Sequence, residues 1–304
     1  MKNVFEFKTL AEFLEYFKDE ETCREHFTAI RFRNGEYCPH CGHKEIYTFS
    51  NGKRYRCAKC KKDFTIITGT VFGETKLPLR KWFIAIYLLS TSSKGISSVQ
   101  VAKHVGVTQK TGWFMDHRIR KAMKQNKGQL FGTVEADETY IGGLEKNKHL
   151  SDRLHKGTGG TGKSAVFGLR SRGGDTQAKV VKTVRSEELQ PIIKEAVSHG
   201  AILYTDNWCG YNGLKGFRHT VINHSDGQYV KGNAHTNSIE SFWALFKRGY
   251  HGIYHFMSRK HLQRYVDESI FRFNRRGHSM LSVFSAVVAR VSTSTKLPYK
   301  ELIA

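Results

Sequence analysis

Four cysteines constrain the fold of this chain more tightly than any hydrophobic pattern in it. Cys38 and Cys41 read CPHC, and fifteen residues later Cys57 and Cys60 read CAKC. The C-x2-C-x15-C-x2-C spacing predicts two tight turns, each offering two thiolates to one tetrahedral Zn2+. A lone redox pair would need no matched second pair. Four sulfur ligands close the coordination sphere, so the ion is structural and leaves no open position for chemistry. Cys23 and Cys209 are left over and read as small buried residues rather than ligands. Cysteines used in this way fit a reducing compartment better than a disulfide framework.

Charge narrows the class of partner. Between Arg31 and Lys62 stand nine basic and two acidic residues, and Arg54, Arg56, Lys59, Lys61 and Lys62 crowd the second cysteine pair. Over all 304 residues, 49 Lys and Arg face 27 Asp and Glu, a formal charge of +22. An excess of that size favours a polyanion such as DNA or RNA, because each neutralised phosphate releases counterions. The longest apolar run, from Trp82 to Leu89, has eight residues, too few to span a bilayer. The first residues, MKNVFEFKTLAEFLEYF, carry several acids and no small-residue cleavage site, unlike a signal peptide. These features predict a cytoplasmic, nucleoid-associated chain with no membrane partner.

The patterning changes character along the chain. Residues 1 to about 30 look helical, with Phe13, Leu14 and Phe17 on one face. Short β-prone pieces, such as residues 63–68, accompany the cysteines. A helix follows Pro78. Residues 96–123 read as a helix-turn-helix: Ser97 or Ser98 caps a first helix, Gly106 makes the turn, and Thr108 caps a second. There Gln109, Lys110 and Thr111 are placed to approach a DNA groove, while Trp113 and Ile119 pack inward. From about Gly132 the period becomes that of strands, in GTVEADETYIGG, SAVFGLRS, QAKVVKTV, AILYTD and HTVINH. One helix, over residues 186–198, separates the third from the fourth. Another, over residues 259–276, carries Leu262, Val266, Ile270 and Phe273 on its apolar side. The order predicts a mixed α/β sheet domain.

Residues 157–164, GTGGTGKS, satisfy the phosphate-loop string G-x-x-x-x-G-K-[ST]. The string needs a buried strand before it and a helix after it. Here a polar stretch precedes and a strand-like SAVFGLRS follows, so no helix N-terminus is available for phosphate. No nucleotide cofactor is expected.

Residues 235–255, HTNSIESFWALFKRGYHGIYH, read as a helix with Ile239, Trp243, Phe246 and Tyr250 in an apolar stripe. Glu240 and Lys247, seven residues apart, share another edge of it. Upstream, Asp137 and Asp206 each sit at the end of a strand-like run. Taken singly, each acid has a plain explanation. Asp137 could be an exposed strand residue, Asp206 a turn former, and Glu240 part of a helix-start pattern with Asn237. Taken together, three carboxylates can hold two divalent cations, the arrangement that cuts and joins phosphodiesters.

Five motifs carry a resemblance: CPHCG at 38–42, DETYIGG at 137–143, TDNWCGY at 205–211, HTNSIESFWALFKRG at 235–249 and YHFMSRKHLQRYVDESIFRFNRR at 254–276. Together they resemble a bacterial insertion-sequence transposase of the DDE class, in the branch with an N-terminal zinc ribbon. The resemblance spans nearly the whole chain. It implies an α/β fold in which an RNase H-like mixed-sheet catalytic domain follows a zinc ribbon and a helix-turn-helix-like DNA-binding region. The boundaries expected are 1–34 for an N-terminal helical segment, 35–72 for the ribbon, 76–127 for the helix-turn-helix region, 130–280 for the catalytic domain and 281–304 for a tail.

It further implies two Mg2+ or Mn2+ ions, with Asp137 on the first strand bridging both and Asp206, after the fourth, holding one. Glu240 or Asn237 supplies the third ligand. A carboxylate binds Mg2+ more strongly than a neutral amide, which favours Glu240. Lys247 contacts DNA near the reacting phosphate. The implied partners are double-stranded DNA, as element ends and target, and further copies of the chain, since two ends must be joined in a homodimer or larger assembly. The alternative class is a DNA-binding regulator that no longer cuts.

Overall fold

A computed structural model describes residues 6–124, 128–143, 147–154, 160–222 and 235–303. They form two compact units, one of residues up to Met123 joined by those from Gly277 onward, the other of Lys124–Arg276.

The first unit opens, within the stretch that looks helical in the sequence, with two helices: α1 (Leu10–Tyr16) and α2 (Glu20–Arg31). The break comes at Asp19, whose carboxylate accepts from the Thr22 N–H at 2.8 Å and caps α2. Strands β1 (Ile46–Thr48), β2 (Arg54–Cys57) and β3 (Asp63–Thr65) form an antiparallel meander. β3 is shorter than its β-prone sequence, because the Thr65 N–H donates to Thr68 Oγ1 at 2.9 Å and turns the chain. Helix α3 (Leu79–Thr91) follows Pro78 and buries Trp82, Phe83, Ile86 and Leu89.

Helices α4 (Ser98–Val105) and α5 (Gln109–Ala122) are joined through Gly106 at φ +67°, a left-handed position that favours glycine. Ser97 and Thr108 cap them, accepting from the N–H groups of Gln100 and Thr111. Ile119 is fully buried and Trp113 half-buried, while Gln109 and Lys110 are exposed.

The second unit is built on one mixed sheet. Its strands are β4 (Thr133–Ile141), β5 (Ser164–Ser171), β6 (Thr176–Val181), β7 (Ile202–Asp206) and β8 (Arg218–Ile222). Across the sheet the order is β6-β5-β4-β7-β8. β5 runs antiparallel to both β4 and β6, while β4, β7 and β8 are parallel. A first strand in the centre, a hairpin pair on one side and two parallel strands on the other form the RNase H-like sheet that the resemblance implies.

Helix α6 (Ser186–Ala196) packs Leu189 and Ile193 on one sheet face, against Val134, Ala136, Phe167 and Leu203. Helices α7 (Asn237–Gly249) and α8 (Leu262–Asn274) cover the other face. There Ile239, Trp243, Phe246 and Tyr250, with Leu262, Val266, Ile270 and Phe273, bury Ile141 and Val166. A π-helical turn, Tyr250–Tyr254, extends α7. The last two residues of HTVINH, and residues 157–159 of the phosphate-loop string, lie outside the described residues. A strand, not a helix, begins at the last residue of that string, Ser164.

The chain then returns to the first unit. Residues 281–304, expected as a tail, supply most of α9 (Met280–Thr293) and all of α10 (Tyr299–Ile303). Phe284, Val287, Val288 and Val291 lie on one face of α9 and are fully buried. The ring of Phe284 lies 5.2–5.8 Å from those of Phe7, Phe13, Phe17 and Phe83. An apolar stripe of this width must be covered, and the N-terminal helices cover it. No described helix is long and apolar enough to cross a membrane.

Candidate active site

Asp137 stands in the middle of β4, opposite Gly168 of β5, rather than at a strand end. Asp206 is the last residue of β7. The parallel register pairs Thr133 with Ile202 and Glu135 with Tyr204; continued by two residues, it sets Asp137 beside Asp206. These adjacent strands are also where the sheet order reverses, since the chain leaves β4 for β5 on one side and returns to β7 on the other. Ligands of open α/β sheets gather at such a switch point, beyond the strand carboxyl ends.

A third carboxylate joins them. One oxygen each from Asp137, Glu138 and Asp206 lie within 4.8 Å of one another. Glu138 leaves β4 on the opposite side from Asp137, and the hydroxyl of buried Tyr211 donates to it at 2.7 Å. Asp206 also accepts from the Trp208 N–H at 3.1 Å, so it is turn former and cluster member at once.

Such crowding disfavours charge. Burial pushes the Asp137 carboxyl up to about 7; the Glu138 N–H opposes this, Asp206 and Glu240 add to it, and Lys247 opposes it. Burial likewise raises Glu138 to about 8; the Tyr211 hydrogen bond opposes it, and Asp206 and Asp137 reinforce it.

Helix α7 brings Glu240 and Lys247 within electrostatic reach of Asp137. Gly168 permits the close approach: a Cβ there would lie 2.4 Å from Cζ2 of Trp243. The start of α7 is anchored by Glu135, a fully buried residue of β4, whose Oε2 accepts from the N–H groups of Ser238 (2.8 Å) and Ile239 (3.0 Å). The cap is therefore supplied from the sheet. Asn237 is the first residue of the helix and is exposed. Glu240 is exposed as well and accepts from the Thr236 hydroxyl at 2.7 Å.

In the first unit, the Sγ atoms of Cys38 and Cys60 are 3.7 Å apart, those of Cys41 and Cys57 are 3.6 Å apart, and all four lie within 4.8 Å. A tetrahedral ion with Zn–S bonds of about 2.3 Å would hold its sulfurs about 3.8 Å apart. The sulfur-only donor set and its spacing fit Zn2+. Backbone N–H groups of His40 and Cys60 point at Sγ of Cys38 and Cys57, both at 3.4 Å.

A transposase zinc-ribbon domain matches residues 18–63, which include all four cysteines. An ISXO2-like transposase domain matches residues 129–274, which include both aspartates and all of α7. A protein of the transposable element ISH50 from Halobacterium salinarum is 30% identical over 251 residues, covering 77% of this chain and 84% of that one. The chain belongs to the ISXO2-like transposase family. A transposase-like protein of Haemophilus influenzae is 34% identical over 115 residues, 36% of this chain and 89% of that one. Among solved structures, the Mos1 transposase paired-end complex with left transposon end is similar at 15% identity and a TM-score of 0.29, covering 70% of this chain and 79% of that one.

In this member of the family the fold gathers Asp137 and Asp206 and brings the charges of Glu240 and Lys247 to bear on Asp137. Two acids escaped the sequence reading. Glu138 directly follows Asp137, and its partner Tyr211 ends the TDNWCGY motif, so both lay inside motifs already singled out. Glu135 shares the face of β4 on which Asp137 could have been an exposed strand residue, and the start of α7 covers it there. Arg56 pairs with Asp63 at 2.7 Å across β2 and β3, whereas Arg54, Lys59, Lys61 and Lys62 are exposed. Cys23 is buried as expected, but Cys209 is exposed.

Proposed function

We propose that this chain is an active transposase that binds the terminal inverted repeats of its element and carries out divalent-metal-dependent DNA cleavage and strand transfer. The observation that carries the reading is the meeting of Asp137 and Asp206 carboxylate oxygens within 4.8 Å on adjacent parallel strands, with Glu240 of α7 within electrostatic reach of Asp137. The donors are all carboxylate oxygens, the set that suits Mg2+ or Mn2+ rather than softer ions. Asp137, Asp206 and Glu240 would hold two such ions, with Asn237 the neutral alternative at the third position and Glu138 within reach of the first two acids. Bound there, the ions supply Lewis acidity to the attacking and leaving oxygens of an in-line displacement.

The chain's own groups do the rest. Raised carboxyl pKa values make metal capture and proton release one event, since only ionised carboxylates ligate. Lys247 stands on the Glu240 edge of α7, where its charge can hold a DNA phosphate near Asp137. Zn2+ on Cys38, Cys41, Cys57 and Cys60 fixes the ribbon, whose exposed Arg54, Lys59, Lys61 and Lys62 face the DNA backbone. Gln109, Lys110 and Thr111 of α5 approach a groove. Joining two ends calls for a homodimer or larger complex on DNA. The expected division of labour keeps the ribbon, the α4–α5 region and the sheet domain as separate modules.

The test is Mg2+-dependent cleavage and joining of labelled repeat-end DNA. Asp137→Ala should lower the rate by about 10³-fold or more while DNA binding persists. Wild-type activity in that variant sinks the site. Binding by the wild type without cleavage in Mg2+ or Mn2+ points instead to a DNA-binding regulator.

A further inference from the structure

The three elements that carry the acids meet a second time, one step behind them. Glu135 stands two residues before Asp137 on β4 and leaves the strand on the same face. Its register partner Tyr204 stands two residues before Asp206 on β7. Ser238 and Ile239, whose N–H groups it accepts, directly precede Glu240 on α7. Arg172 closes the group: its Nε donates to Glu135 Oε1 at 2.8 Å, a terminal nitrogen donates to the His235 carbonyl at 2.9 Å, and its guanidinium lies 4.9 Å from the Tyr204 ring centroid. His235 Nδ1 lies 3.5 Å from the same carboxylate.

We propose that Glu135 and Arg172 form a positioning clamp that sets the spacing of Asp137, Asp206 and Glu240 for divalent metal. A fully buried carboxylate is costly unless it is paired, and Glu135 is paired with the start of α7, with His235 on the chain leading into that helix, and with Arg172 just after β5. The helix start contributes two N–H groups and its partial positive charge, so Glu135 holds α7 at a fixed point on β4. The guanidinium fork ties that point to Tyr204 on β7. Movement of the clamp shifts the acids relative to one another without touching any of them. The inference rests on the metal site proposed above.

Mn2+ binding to the zinc-loaded full chain, followed by electron paramagnetic resonance, tests it, with Asp137→Asn as the blank. Glu135→Gln removes a negative charge and Arg172→Gln a positive one. If the pair acted only through net charge, the first variant would bind Mn2+ more weakly and the second more tightly. A clamp predicts that both bind about tenfold or more weakly, as partners behind metal ligands typically do. The double variant should lose less than the two single losses combined. Melting temperature and circular dichroism without Mn2+ report whether each variant folds. Should Glu135→Gln fail to fold, Arg172→Lys keeps the charge, loses the fork, and should still bind several-fold more weakly. Tighter binding by Arg172→Gln, or wild-type affinity in the folded variants, overturns the clamp alone. A wild type that binds no more Mn2+ than Asp137→Asn overturns the metal site and the clamp with it.

Discussion

The molecule presents two candidate metal sites built on opposite plans. The thiol cluster draws all four ligands from 23 consecutive residues, Cys38 to Cys60, on turns that face each other across a three-stranded meander. The acidic cluster draws Asp137, Glu138 and Asp206 from 70 residues, 137–206, and only a folded sheet brings them together. The ribbon buries few large apolar side chains, Tyr55, Phe64 and Ile66 among them, so an ion on its four thiols is expected to close it. The sheet domain has apolar layers on both faces and folds around mutually repelling acids. The first site is expected to draw its stability from an ion, while the second crowds buried carboxyls onto a sheet that has an apolar core of its own.

The largest expected effect lies at the ribbon. Cys57→Ser, or removal of Zn2+ by a chelator, should abolish amide exchange protection across residues 38–65 and leave that of β4, β5 and β7 intact. The zinc term at stake is on the order of 10–16 kcal/mol. Equal loss of protection in both regions would erase the contrast.

An intermediate effect is expected where α7 meets the sheet. Gly168→Ala places a methyl against Trp243 and should cost about 1–3 kcal/mol, read as a lower denaturation midpoint. Because Gly168 pairs with Asp137, DNA cleavage should fall further than stability alone explains. An unchanged midpoint would mean that α7 is not seated this closely.

The smallest effect tests the cost of burying carboxyls beside one another. Asp137 and Glu138 hold their protons to about 7 and about 8 in the folded chain, against about 3.9 and 4.3 for unfolded Asp and Glu. Between about pH 4 and pH 8 the folded state binds more protons than the unfolded state, so these groups lower stability as pH rises through that window. Without divalent metal, the melting temperature should drop by a few degrees more from pH 5.5 to 8 in the wild type than in Asp137→Asn, and Mg2+ should recover more of it at pH 8 than at pH 6. Identical pH profiles for the two proteins would mean that burying Asp137 among neighbouring acids costs the fold nothing.

Legibility in the sequence follows the same divide. The cysteine spacing is a local signal, and so are the apolar periods of α7 and α8 and the strand runs of the sheet. What stayed hidden depended on what covers what. Alternation around Glu135 looked like a half-exposed strand, because a period of two cannot tell a solvent face from one lying under a helix. Glu138 was invisible as a site residue because its grouping with Asp206 and Tyr211 is purely tertiary. The stripe of Phe284, Val287, Val288 and Val291 marks a buried helix, but nothing local says that its cover is Phe7, Phe13 and Phe17, more than 260 residues earlier.

That last contact has a consequence for the order of synthesis. Domains usually mature from the N-terminus as the chain leaves the ribosome. Here the first unit lacks a core helix until α9 has emerged, whereas residues 124–276 need nothing that follows them to complete their sheet and its two layers. The basic ribbon-bearing unit starts to be translated before the sheet domain and closes after it. A message broken before α9 would yield a finished sheet domain attached to an unfinished companion.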